Sequence, residues 1–251
     1  VLLDGAITGG ATELDPVALD GVRLGVAEAF TGGLSKEVQV VWDAAVAKLE
    51  AAGATLVPVE MPDVMALNEQ IGFPVALYEV ARDLPAFLEA WKAGASLQDV
   101  ADGVASPDVK FVFDNFVVGD KQMPEAAYAA AIGVLRPQLQ TLYAETFAAN
   151  HLDALVFPTT ILAAPPKEGS GDTVDLDGTQ VPTFQTYIRN TDPGSNAGLP
   201  GLTLPIGLTD AGLPVGLELD GPGFTDRRLL AIGLAMEDLF GTLPPPAVAS
   251  E

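Results

Sequence analysis

Cysteine is absent from the chain and histidine occurs once, at His151. Disulfides and thiolate chemistry are thereby excluded, and one imidazole cannot build a His-rich metal site. Positive charge is scarce: 12 Lys and Arg stand against 34 Asp and Glu, a net charge of −22. A field of that sign repels phosphate, which argues against nucleic acid or an anionic membrane as a partner. Long apolar runs are missing too. Stretches such as residues 229–236 fall well short of the roughly 20 residues that span a bilayer, and no basic leader precedes an apolar segment. A cytoplasmic protein is expected. GxGxxG between strand and helix, GxxxxGK[ST], HExxH and GxSxG are all lacking, so nucleotide cradles, zincins and the nucleophile elbow have no local support. The acidic residues never adopt the spacing of a calcium loop and read as a solvated surface; no metal or cofactor is implied.

What remains is a chain with 251 residues, 49% of them hydrophobic, ample for a sizeable core. Residues 21–30, GVRLGVAEAF, read as a buried strand. Val38, Val41, Trp42, Ala45, Val46 and Leu49 then recur at helical spacing, with Ser35 as N-cap and Gly53 just past the end. ATLVPVEMP returns to strand, so the unit is the strand, helix, strand of a parallel sheet. From Asp63 to Val118 the pattern is helical, and Pro74, Pro85 and Pro107 are expected to divide it into short helices. A long helix over residues 124–150, interrupted at Pro137, feeds the strand DALVFPTT. VDLDGTQV reads as a hairpin around Asp177-Gly178. NAGLPGLTLPIG and LPVGLELDG are two strands joined by LTDAG, and a closing helix starts at Thr225 and stops at Gly241. No linker divides the chain, and residues 1–251 are expected as a single domain.

The serines are few. Ser35, Ser96 and Ser106 read as helix starts, and Ser170 as part of a turn. Ser195 has no lysine or histidine nearby in sequence to act as its base, so a turn role is preferred over a nucleophile. His151 closes the long helix, where a structural role is the commoner one.

Three stretches carry a resemblance: residues 21–62, the segment NHLDALVFPTTILAAPP, and the run from Tyr187 to Phe240. In this order they resemble landmarks of the amidase signature family. The most specific part is N-x-G-x-P-x-[LIV]-x-[LIV]-P-x-G from Asn196 to Gly207, followed by G-L-P-x-G-[LIV] from Gly212 to Leu217. The resemblance implies an α/β fold with a mixed β-sheet covered by helices on both faces. It also implies an amide hydrolase run by a lysine and two serines, one on a cis peptide, with backbone N–H groups holding the oxyanion.

The glycine-serine-rich signature, the D-x-G-G-S-[IV]-R segment and the lysine of that family have no counterpart in this sequence. Val1 to Gly10 read as the end of a helix entered without a cap. The chain is accordingly expected to be the C-terminal part of such an enzyme, without catalytic residues of its own, needing the missing N-terminal part or a second copy as partner. The strand end FPTT, turning at Pro158, places Thr159, Thr160 and Ile161 in a loop where side chains can face a ligand. By matching position, the resemblance assigns Phe184, Thr186, Tyr187, Ile188 and Asn190 to the wall of the same pocket, for a small-molecule amide. Phe184 and Tyr187 favour an aryl amide; Phe73 and Tyr78 read more readily as core. Two alternatives stay open: a non-catalytic α/β small-molecule-binding module, and a protein like the amidotransferase A subunit.

Overall fold

The computed structural model describes residues 5–7, 9, 13–15 and 17–245. Most of Val1–Gly10, read as a helix end, lies outside the described residues, as does the end of the proline-rich tail. The chain forms two compact units, one from residues 1–62 with 142–251 and the other from residues 63–141.

The first unit is built on a five-stranded sheet, ordered β2-β1-β3-β7-β6. Strand β1 (Arg23–Ala27) pairs in parallel with β2 (Thr55–Val59) and with β3 (Ala154–Pro158). β7 (Pro214–Asp220) then runs antiparallel to β3 and to β6 (Gly201–Leu208). The sheet is therefore mixed, as the resemblance implied. Arg23–Ala27 stops short of the expected strand because Glu28–Thr31 turns into a short helix, α1. That turn swings Phe30 inward to stack on Phe157, with ring centroids 4.5 Å apart.

Helix α2 (Lys36–Ala51) begins at Ser35, whose hydroxyl accepts the Val38 N–H, and Gly53 follows its end at φ 92°. Val38, Val41, Trp42, Ala45 and Leu49 are its buried positions. They share one core with Val156, Leu217 and Leu219 and with Leu229, Ile232 and Met236 of α10 (Asp226–Phe240). This fixes which face of the sheet is apolar. Side chains alternate along a strand, so Leu155, Phe157, Glu218 and Asp220 occupy the opposite face.

Between β3 and β6 lie a two-stranded hairpin and two short helices. The hairpin joins β4 (Thr173–Leu176) to β5 (Thr179–Pro182) through Asp177 and Gly178, at φ 51° and 93°. Two positive φ values are what a tight two-residue hairpin turn requires, and Asp-Gly supplies them. Asp177 also accepts the backbone N–H of Lys36 at 3.0 Å, placing a carboxylate at the positive end of α2. Helices α8 (Thr183–Ile188) and α9 (Thr191–Ala197) lead into β6 through Gly198, at φ 74°. The first three residues of the expected NAGLPGLTLPIG strand are thus a helix end, and the strand begins at Gly201. Pro205 is tolerated in β6 because the strand is at the sheet edge and its register shifts at Pro205/Gly207.

The second unit is helical. Its largest element is α3 (Val64–Ala90), which continues through Pro74 and Pro85 instead of breaking there. Each proline deletes one helical hydrogen bond. Buried Ile71 and Val75 hold the first half of the helix, while Pro85 is exposed, so water can reach the carbonyl it frees. Helix α4 (Leu97–Gly103) carries a complete capping box from Ser96 and Asp99. It is followed by α5 (Pro107–Val112), with proline at its first turn, and a π-helical turn, Phe113–Val117. Residues 125–150 form α6 (Glu125–Ala130), a second π-helical turn (Ala131–Leu135) and α7 (Arg136–Asn150). The widened turn just ahead of Pro137 relieves the clash between its ring and the preceding turn. Among the described residues no helix is long and apolar enough to cross a membrane.

Candidate functional site

On the face of the sheet opposite α2 and α10, the register aligns two rows of side chains. Phe157, Glu218 and Thr203 stand side by side on β3, β7 and β6, and Leu155, Asp220 and Gly201 form the next row. Thr159 continues the face past the end of β3, its N–H donating to the Gly216 carbonyl at 2.9 Å. Its hydroxyl shares a hydrogen bond with that of Thr203, oxygen to oxygen 2.5 Å. Thr159, Gly201, Thr203, Glu218 and Asp220, with Thr191, Ser195, Leu199 and Leu202, line a cavity of about 360 Å³. Gly216 keeps this wall thin, since a Cβ there would press on both threonine hydroxyls.

Two carboxyls dominate the cavity. Burial raises Glu218 to about 7, and burial together with repulsion from Glu218 raises Asp220 to about 8. Asp220 Oδ2 is buried without a hydrogen-bond partner. So is the hydroxyl of Tyr143, on α7, whose ionisation is pushed well up by burial and by the charges of Asp220 and Glu218. The uniform reading of the acids as solvated surface therefore fails at these two. The signal lay in LELD: two acids two residues apart in a strand whose alternate positions are apolar must share one face.

The eight expected wall residues do not gather in one place. Thr159 lines the cavity, whereas the Thr160 hydroxyl donates to the Leu162 carbonyl at 2.9 Å and belongs to the loop after β3. Ile161 is buried in a small cluster with Leu162 and Val174, against which Tyr187 packs. The Tyr187 hydroxyl donates to the Ala163 carbonyl at 2.6 Å. Thr186 is buried, and its hydroxyl donates back to the Pro182 carbonyl. Phe184 is 47% exposed, and Ile188 is half-buried. Asn190 is a clamp: its Nδ2 donates to the Phe30 carbonyl at 2.9 Å and to the Pro158 carbonyl at 2.7 Å, tying α1 to the end of β3. Its Oδ1 is buried and unpartnered. Beside it, Arg189 donates to the Ala29 and Gly32 carbonyls, closing the end of α1.

A second depression, about 350 Å³, lies between the loop at Leu162–Pro166, the β4–β5 hairpin and Glu37. In the helical unit, Tyr78 stacks on Tyr128 at 4.2 Å with the Arg82 guanidinium over both rings. The Tyr128 hydroxyl donates to Glu79 at 2.8 Å. Tyr78 thus packs within its own unit but is only half-buried, and Phe73 is 43% exposed, so the reading of these two as core fails.

The hydroxyls of the described serines are engaged locally. Ser35 accepts from Val38, Ser96 and Ser106 donate to Asp99 and Asp108, and Ser170 and Ser195 donate to the backbone carbonyls of Lys167 and Thr191. His151 is exposed at φ 52°, where it ends α7.

A family model for amidases matches residues 10–230. The chain belongs to the amidase signature family. Among amidase relatives, the indoleacetamide hydrolase of Rhizobium radiobacter is 40% identical over 242 residues, 96% of this chain and 51% of that protein. The mandelamide hydrolase of Pseudomonas putida is 35% identical, over 98% of this chain and 49% of that protein. Two solved amidases share the fold at 26% identity. A crystal structure of an amidase superposes with a TM-score of 0.76 over 96% of this chain and 50% of its own. The peptide amidase of Stenotrophomonas maltophilia does so at 0.66, over 98% and 50%. The chain spans about half the length of the curated relatives it matches.

Proposed function

We propose that this chain is the C-terminal part of an enzyme that hydrolyses small aryl-bearing carboxamides, R–CO–NH2 plus water giving R–COO⁻ and ammonium. The observation that carries the reading is the likeness, over nearly the whole chain, to an indoleacetamide hydrolase and a mandelamide hydrolase. Indoleacetamide and mandelamide both place an aromatic group near a primary amide, and the exposed ring of Phe184 supplies an apolar face of the kind such a group stacks on.

In this reading the serine, cis-serine and lysine come from an N-terminal part outside these residues. The local engagement of Ser35, Ser96, Ser106, Ser170 and Ser195, none of them hydrogen-bonded to a lysine amine, supports that division. This chain contributes the pocket wall and the scaffold behind it. Phe184 is the most exposed of the wall residues, and Thr159 lines the cavity. Thr160, Ile161, Thr186, Tyr187, Ile188 and Asn190 shape the wall, Asn190 by fixing the end of β3. The coding sequence immediately upstream of Val1 tests the division. A glycine-serine-rich stretch followed by D-x-G-G-S-[IV]-R there supports it, and a start codon directly before Val1 overturns it.

A further inference from the structure

Glu218 and Asp220 stand where a strand of this sheet would ordinarily present apolar side chains, and the structure gives them no counter-charge. No described lysine, arginine or histidine forms an ion pair with either. Oδ2 of Asp220 is buried against Gly194 and has no hydrogen-bond donor, and Oδ1 is the oxygen on the Gly201 side. A buried carboxyl without a partner is costly. Glycine at 201, directly across from Asp220, leaves the approach to that carboxyl open, since a Cβ there would lie 3.3 Å from Oδ1.

The rest of the wall is also made of acceptors. Ser195 spends its proton on the Thr191 carbonyl and keeps its lone pairs, and Thr159 and Thr203 spend one proton on each other. A site with two acids, several hydroxyl lone pairs and few free donors is complementary to a group that only donates. At about 360 Å³ the cavity falls in the size range of small-molecule pockets. Leu199 adds an apolar surface beside the acids. Among the described residues no three His, Cys, Asp or Glu side chains are grouped to hold a metal ion.

We infer that the cavity between β6, β7 and α9 is a binding site for a small protonated primary amine. Its –NH3⁺ donates to the carboxylates of Glu218 and Asp220, and its alkyl chain lies along Leu199. Three donors on one compact charge match three acceptor directions, two of them charged, which is the stronger class of hydrogen bond. Because Asp220 is largely and Glu218 partly protonated at pH 7 when the site is empty, entry of the cation ionises them and releases protons to solvent. Tyr143 is the other titratable group facing them, and its phenol stays neutral. The site shares Thr159 with the proposed pocket wall, but its acids do not depend on the amide-hydrolase reading.

Titration of the purified protein with n-butylammonium chloride at pH 7 tests this by calorimetry and by amide chemical shifts. The expected result is a saturable heat whose size depends on the buffer's ionisation enthalpy, with shifts at Gly194, Gly201 and Thr203. Glu218→Gln with Asp220→Asn should weaken binding by at least about tenfold, and tetramethylammonium, which has no N–H, should not compete. The inference is overturned by any of three outcomes in the unmodified protein: no saturable shift at those amides, no proton release, or equal binding of tetramethylammonium. Undiminished binding by the double variant overturns it as well. If that variant does not fold, the three measurements on the unmodified protein still decide.

Discussion

The carboxylate of Asp220 lies against the Cα of Gly194, with no room between them for a methyl group. Helix α9 can therefore sit on the sheet only because residue 194 has no side chain. A strand residue and a helix residue 26 positions earlier are constrained as a pair, and the constraint involves an acid that burial keeps largely protonated at neutral pH.

Gly194→Ala is expected to destabilise the protein by about 1–3 kcal/mol, the usual penalty for overpacking, despite alanine's better helix propensity. In an Asp220→Ala background the same change should be neutral or stabilising by up to about 1 kcal/mol. Denaturant unfolding of the four proteins in this cycle reads the coupling directly. Additive effects would show that the two residues do not interact.

Stability should fall as pH rises from about 4 to about 8. Below that window both acids are protonated whether the chain is folded or not, so their burial costs no charge. Within it the unfolded chain ionises them at ordinary carboxyl values, while the folded chain holds protons until about 7 at Glu218 and about 8 at Asp220. Each group then contributes up to about 1.4 kcal/mol of lost stability per pH unit. Glu218→Gln with Asp220→Asn should flatten this slope, measured as unfolding free energy at pH 5 and pH 8. A slope unchanged in the double variant contradicts the assignment.

Asn190→Ala should cost on the order of 3 kcal/mol, because it leaves the buried carbonyls of Phe30 and Pro158 without their donor. Asn190→Asp should be no better: it keeps the shape but offers those carbonyls an acceptor. Thermal unfolding of both variants checks this. Rescue by aspartate would mean that the side chain serves packing alone.

Tyr187→Phe removes one hydrogen bond, to the Ala163 carbonyl, and should cost about 1 kcal/mol. Its ring still packs against Ile161, Leu162 and Val174. Tyr187→Ala should therefore cost more, about 3 kcal/mol or above. Equal losses in the two variants would show that the ring contributes nothing.

Much of the frame was legible because local chemistry and tertiary context agree. Ser35 caps α2, Gly53 follows its end, and Asp177-Gly178 turns the hairpin, each for a reason confined to a few residues. The parallel β1–β2 pairing followed from the same logic. Proline was a poorer guide: Pro74 and Pro85 sit inside one 27-residue helix, where packing and solvent offset the lost hydrogen bonds. Most of the wall residues were read from family position, and their hydrogen bonds, such as those of Asn190 to α1 and β3, come from elements far away in sequence. Glu218 and Asp220 were legible only through strand periodicity, and their lack of partners is a property of three strands and a helix together.

The rate of ammonia release from indole-3-acetamide and mandelamide tests the account most directly, measured with the complete open reading frame and with the 251-residue chain alone. The account predicts turnover of at least one of these amides by the complete protein and none by the chain alone. Turnover by the isolated chain, or a folded complete protein that hydrolyses neither amide, would contradict it.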